Sequence, residues 1–308
     1  MGPIKLAIVG LGKIARDQHL PSLAANPNYR LVAVASPNNK LEGTPSYPDI
    51  ETLLREQPDI EAVSLCCTPQ VRYDLARYAL EQNKHVMLEK PPGATLNEVV
   101  GLKELARQRQ LALFATWHSR EAAAVEPARD WLVGRRIRKV QVTWKEDVRV
   151  WHPGQAWIWK AGGLGVFDPG INALSIITRI LPQPLVLKDA ELHFPSNCET
   201  PIAAELSLQG PGGLPVRAEF DFRQTGPQSW DIDIETDDGH LLLSKGGSVM
   251  HVDGKQTVSA PDREYANLYA RFAPLVRERR IDVDLAAFRL VADAFMCGRR
   301  SVVDPFIE

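Results

Sequence analysis

Short apolar runs rich in β-branched residues alternate with stretches of helical spacing from Ile4 to about His118. Strands are expected at 4–9, 30–35, 60–66, 84–88 and 111–117, with helical segments such as 75–80 and 98–107 between them. Regular alternation of this kind predicts an α/β unit with a parallel, doubly wound sheet, the Rossmann arrangement, over residues 1–120. After His118 the pattern changes. One helix near 121–133 precedes runs at 139–150, 186–194, 202–208, 215–223 and 230–236, several alternating in and out as in Pro215-Val216-Arg217-Ala218-Glu219-Phe220. That spacing predicts an α+β domain over 121–308 with one sheet face wet or covering a partner. Asp237-Asp238-Gly239 and Asp253-Gly254 mark hairpin turns, and helices near 264–278 and 284–299 close the chain.

Composition narrows the function classes. The 308 residues suffice for two domains, and 44% hydrophobic with 24% charged residues is ordinary for a globular protein. A net charge of −2 leaves no basic footprint for nucleic acid. The four cysteines lack ligand or framework spacing and the seven histidines lack His-x3-His spacing, so neither a disulfide framework nor a metal is expected. No apolar run reaches spanning length and the first strand starts within a few residues of Met1, which points to the cytoplasm.

The candidate chemistry begins where the first strand ends, in Gly10-Leu11-Gly12-Lys13-Ile14-Ala15. Gly10 permits a tight turn, Gly12 lets the backbone approach a pyrophosphate, and Ala15 allows close packing of helix on strand. The loops after the next strands, Ser36-Pro37-Asn38, Cys67-Thr68-Pro69 and Glu89-Lys90, fall at the carboxyl ends where such sheets bind ligands. Together with Gly10, Gly12, Lys13 and Ile14 they form the expected dinucleotide site. The second strand ends at Ser36 with no acid to grip a ribose 2′-hydroxyl, leaving Ser36, Asn38, Lys40 and Arg16 as donors to a 2′-phosphate; NADP is expected in preference to NAD.

Lys90 sits in a proline-stiffened loop, where an ammonium can stabilise an alkoxide or merely face solvent. Asp168 precedes Pro169 at the start of a helix, where it can take a proton or simply cap the helix; Asn172 follows one turn on. Between them, 144–159 holds four of the seven tryptophans, Trp151 included. Aromatic faces beside Glu and His side chains suit a sugar, although core or oligomer contacts are the plainer use of tryptophan.

With GLGKIA, KHVMLEKPPG, FATWHSR, VQVTWKEDV, WHPGQAWIW and GGLGVFDPGINALS in this order, the chain resembles the Gfo/Idh/MocA oxidoreductases, and among them the bacterial L-arabinose/D-galactose 1-dehydrogenases. The resemblance implies a second domain built on a large, mostly antiparallel open sheet, a last helix packing back on the Rossmann domain, and a cis bond before Pro91. It also implies a sugar site at Glu146 and His152, with His118 and Trp230 as further candidates. The family commonly has a histidine four residues after the catalytic aspartate; here Asn172 stands there, which moves the base toward Asp168 or Lys90. The implied activity is NAD(P)-dependent oxidation of an aldopyranose at C1 to the lactone; separately, the alternating open sheet face points to a homodimer. A non-catalytic sugar-sensing protein of the same fold is the alternative.

Overall fold

The computed structural model describes residues 2–307. Its strands are β1 (Ile4–Val9), β2 (Tyr29–Ala35), β3 (Ser46–Tyr47), β4 (Ala62–Leu65), β5 (His85–Leu88), β6 (Leu113–Ala115), β7 (Ile137–Lys145) and β8 (Val186–Pro195). There follow β9 (Ala203–Gln209), β10 (Pro215–Asp221), β11 (Ser229–Thr236), β12 (Gly239–Ser244), β13 (Val249–Val252), β14 (Lys255–Ser259), β15 (Ile281–Asp282) and β16 (Arg299–Val303). The chain divides into two compact units. One comprises the chain up to Trp117 with Tyr265–Asp284; the other comprises His118–Glu264 and the chain from Leu285 on. No helix among the described residues is long and apolar enough to cross a membrane.

The first unit holds a parallel sheet in the order β15-β6-β5-β4-β1-β2-β3. Its strands β1, β4 and β5 are buried almost without break, as expected of strands covered on both faces. The order reverses between β1 and β4, so the crevice beyond their carboxyl ends is the natural ligand position. The first helix opens differently from a regular α-helix: Ala15–His19 forms a wider π turn that continues into Leu20–Ala24. Such turns recur where a side chain must be re-aimed, and this one ends on a fully buried His19.

The segment rejoining this unit is the helix Glu264–Glu278 with β15, not the last helix as the family resemblance implies. The reason lies in its apolar face. Tyr265, Leu268, Tyr269 and Phe272 enter the first unit's core, Phe272 stacking on Phe114 at 6.0 Å, and β15 extends the sheet beside β6. The final helix, Ala286–Cys297, is part of the second unit.

The second unit carries a nine-stranded sheet, β14-β13-β12-β11-β7-β10-β9-β8-β16, antiparallel except where β10 pairs with β7 and β16 with β8. Its buried face presents Val140, Val142, Trp144, Ala218, Phe220, Ile232 and Ile234. Gly170 lets the helix Phe167–Ile180 settle on this face, since a β-carbon there would meet the Phe220 ring at 3.1 Å. The expected strand 139–150 ends at Lys145 because Asp147 accepts the Arg149 amide and turns the chain into the short helix Val148–Trp151. Strands β12 to β14, absent from the sequence reading, are short runs between the turns that it did mark.

A titration reports on the β5–β6 junction. The Ala112 amide donates to His85 Nδ1 at 2.9 Å, which requires the neutral ring. Burial, helped by Arg279 and opposed by Glu61, pushes the His85 pKa down to about 4 from 6.5. The unfolded chain therefore binds the extra proton first, and stability falls as pH drops from 6.5 toward 4. Allowing for solvent screening, denaturant titrations should show ~1–2 kcal/mol lost through this group. In His85→Asn, which retains an acceptor without the titration, that portion of the pH slope should vanish; an unchanged slope would assign it elsewhere.

Candidate functional site

At the switch point of the first unit, Gly10 and Gly12 serve different demands. Gly10 has φ 93°, its amide donates to the Ala35 carbonyl at 2.8 Å, and a β-carbon there would lie 2.6 Å from the Cys67 nitrogen. The loops after β1 and β4 thus touch, and the fold itself demands this glycine. Gly12 is exposed and a β-carbon on it would meet nothing within 4 Å. Its bareness leaves room for a group approaching the backbone, as a pyrophosphate does. Ile14 packs toward the core, while exposed Lys13 pairs with Asp17.

Beyond β2, Ser36 donates its amide to Tyr47, and Pro37, Asn38 and Lys40 are exposed. The Arg16 guanidinium donates to the Lys40 carbonyl at 3.3 Å, tying the turn after Gly12 to the loop after β2. Beyond β4, Cys67 and Thr68 are half-buried and Pro69 starts the helix Pro69–Glu81. Burial pushes the Cys67 thiol up despite nearby Arg72, so it stays neutral. These residues fit a dinucleotide: open backbone at Gly12, a helix N-terminus, and no acid from Ser36 to Lys40 at the end of β2.

Arg72 is the residue that sequence reasoning missed. It is buried, and its guanidinium donates to the carbonyls of Cys67, Glu89 and Pro91, tying the loop after β4 to the loop after β5. A signal existed: Arg72 shares the i, i+4, i+7, i+8 stripe of Ala76, Ala79 and Leu80 on the buried face of its helix.

Lys90 follows β5, half-buried, and its bond to Pro91 is cis as expected. Glu89, expected among the cofactor contacts, is instead an internal support. It is 4% exposed; Oε1 accepts from Tyr265 at 2.8 Å and pairs with His19 Nε2 at 3.0 Å, while Oε2 accepts the Lys90 amide at 2.8 Å. His19 Nδ1 in turn lies 2.7 Å from the Tyr269 hydroxyl. Burial opposes charge on His19, but Cys66, Tyr269 and Glu89 outweigh it and hold its pKa well above the usual value.

In the second unit, Glu146 follows β7 and is 3% exposed. Its Oε2 accepts from Trp230 Nε1 at 2.8 Å and its Oε1 lies 3.0 Å from His152 Nε2. The other ring nitrogen, His152 Nδ1, is 3.8 Å from Asp168 Oδ2. One imidazole therefore stands between two buried carboxylates. Trp151, 40% exposed, packs edge-on against Trp230 at 4.8 Å, and Trp144 stacks behind Trp230 at 6.2 Å.

Of the two uses open to Asp168, helix capping is not the one seen: the helix begins at Phe167, with Val166 in the cap position. The carboxylate stands inside the first turn, 3% exposed. Asn172 is half-buried one turn on. His118 falls outside this cluster: its Nδ1 lies 2.5 Å from Glu264. So Glu146, Trp151, His152, Asp168 and Trp230 are linked by direct contacts. A buried carboxylate beside an imidazole can accept a proton, and the tryptophan faces can bear on the C–H side of a sugar.

Residues 4–116 match an oxidoreductase family described as having an NAD-binding Rossmann fold, GFO_IDH_MocA. The galactose 1-dehydrogenase of Pseudomonas fluorescens is 44% identical over 320 aligned residues, covering 100% of both chains. The crystal structure of a D-galactose-1-dehydrogenase from Rhizobium etli is 56% identical and superposes with a TM-score of 0.96 over 100% of this chain and 99% of that one. KijD10, a 3-ketoreductase from Actinomadura kijaniata in complex with NADP and TDP-benzene, has a TM-score of 0.87 over 98% and 100% of the chains at 19% identity, a likeness of fold alone. With likeness at this identity running the full length of both chains, the protein belongs to the Gfo/Idh/MocA oxidoreductase family.

Proposed function

We propose that the chain is an NAD(P)-dependent aldose 1-dehydrogenase, oxidising L-arabinose, D-galactose or a similar aldopyranose at C1 to the aldonolactone. The observation that carries this reading is the Glu146–His152–Asp168 row flanked by Trp151 and Trp230. The names of the relatives from Pseudomonas fluorescens and Rhizobium etli support it. The bound nicotinamide supplies the hydride acceptor. Asp168 takes the proton of the anomeric hydroxyl, and Lys90 stabilises the developing oxyanion. Asn172 cannot be the base, because an amide does not accept a proton at neutral pH; it holds a ring hydroxyl instead. Glu146, oriented by Trp230, and His152, oriented by Glu146, fix further hydroxyls, while Trp151 offers an apolar face.

NADP is the preferred cofactor in this reading, with Arg16 and Lys40 meeting the 2′-phosphate, and NAD is tolerated. The protein acts in the cytoplasm as a homodimer. The half-exposed face of the nine-stranded sheet, with Gln141, Thr143, Lys145, Glu219, Asp231 and Asp233, supports a second copy as its cover.

Three outcomes are expected. With NADP and a panel of aldoses, nicotinamide absorbance rises for D-galactose and L-arabinose and the product is a lactone; silence with every sugar would favour a sensor, and a ketose would move the reaction off C1. Asp168→Asn lowers kcat by about 100-fold or more while dinucleotide affinity stays within about 2-fold, and near-normal turnover in that variant would reassign the base. Gly12→Ala keeps its melting temperature but weakens dinucleotide binding about 10-fold or more, whereas Gly10→Ala costs about 2–4 kcal/mol of stability. Equal stability losses in the two variants would contradict the separate uses of these glycines.

A further inference from the structure

We propose that His19, Tyr265 and Tyr269 are positioning residues for Lys90, acting through the Glu89 carboxylate. This rests on the reading of Lys90 as the cation that stabilises the oxyanion. The chain of contacts is continuous. Tyr269 bonds His19 Nδ1 at 2.7 Å, His19 Nε2 and the Tyr265 hydroxyl meet Glu89 Oε1 at 3.0 and 2.8 Å, and Glu89 Oε2 holds the Lys90 amide at 2.8 Å. Ser64 on β4 completes the cluster, its hydroxyl 3.3 Å from His19 Nδ1 and 3.4 Å from the Tyr269 oxygen.

A purely structural purpose accounts poorly for this cluster. Burying a carboxylate and an imidazole together carries a desolvation penalty that packed apolar side chains of similar volume avoid, often with equal or greater stability. The polar solution lies directly beneath Lys90, and its last bond is to the Lys90 backbone. Arg72 works on the same loop, holding the carbonyls of Glu89 and Pro91. The lysine side chain keeps four rotatable bonds, so the direction of its ammonium begins with the orientation of its α-carbon. An error of about 1 Å in a reacting group costs about 100-fold in rate.

The test is a double-mutant cycle. Tyr265→Phe removes one oxygen and keeps the ring that packs in the core. It should lower kcat for D-galactose or L-arabinose about 5–30-fold with dinucleotide KM nearly unchanged, while the lost bond to the buried carboxylate lowers the melting temperature whether or not Lys90 is present. In a Lys90→Ala background, the same substitution should cost less than about 2-fold, because the group being positioned is gone. Equal losses in both backgrounds would make the cluster general support and overturn the proposal alone. Full activity in Lys90→Ala would overturn the reading of Lys90 and the proposal with it.

Tyr269→Phe gives the same cycle one step further back should Tyr265→Phe fail to fold. A readout independent of turnover is hydrogen exchange at the Lys90 amide. Tyr265→Phe should speed that exchange while Val86 to Leu88 in β5 stay protected, and unchanged protection at Lys90 would also refute the proposal.

Discussion

Glu89 places a carboxyl group at 4% exposure, and much of the first unit is arranged around that fact. A carboxylate so far from water must be met on both oxygens, and the partners come from three places distant in sequence: the π turn at His19, the helix carrying Tyr265, and the amide of Lys90. One of those partners stands on the segment Tyr265–Asp284, whose apolar face seats it in a unit otherwise made from the first 117 residues. Loss of one partner would leave a buried oxygen short of a hydrogen bond, at a cost in stability. The same carboxylate therefore ties the fold of the unit to the placement of its loop lysine.

The second unit handles buried charge differently. Glu146 and Asp168 are both 3% exposed, and both face one imidazole. Trp230 takes one oxygen of Glu146, which leaves His152 as the hinge of the row. The family pattern supplies an imidazole from the same helix as the aspartate, but in this chain Asn172 occupies that position. The imidazole beside Asp168 comes instead from the turn after the short helix Val148–Trp151, a turn created when Asp147 accepts the Arg149 amide. A histidine–aspartate neighbourhood is thus rebuilt from a different element, with Glu146 fixing the ring from behind.

What the residue pattern disclosed and what it hid divide along physical lines. Alternation at periods of 2 and 3.6 located the main strands and the helix Glu264–Glu278, because burial on one or both faces writes itself into the spacing. It could not say to which sheet that helix belongs, since an apolar face specifies burial and not a partner. Strands β12 to β14 were hidden because each is at most six residues long and bounded by turns whose signals dominate the window. Asp168 was picked out by its place at a helix start and Glu146 and His152 by resemblance, and the structure links the three directly, but nothing in the pattern pointed to the polar cluster beneath Lys90. His19, Tyr265 and Tyr269 sit on helical stripes where a buried polar side chain looks like an interruption of the pattern, and only the fold shows that the interruptions meet.

Arg72 gives the same lesson in one residue. A guanidinium on the apolar face of Pro69–Glu81 breaks the binary pattern, and in a helix packed on a sheet it must find acceptors or be excluded. It finds three backbone carbonyls at the very edge where β4 and β5 release their loops. Carbonyls at strand ends have lost their ladder partners, so the arginine satisfies acceptors that the sheet leaves over while it fixes the loops that carry Cys67 and Lys90. Local violations of pattern at Arg72 and beneath Lys90 therefore fall where loops must be held in register with one another, and they stiffen the loops that carry Cys67 and Lys90.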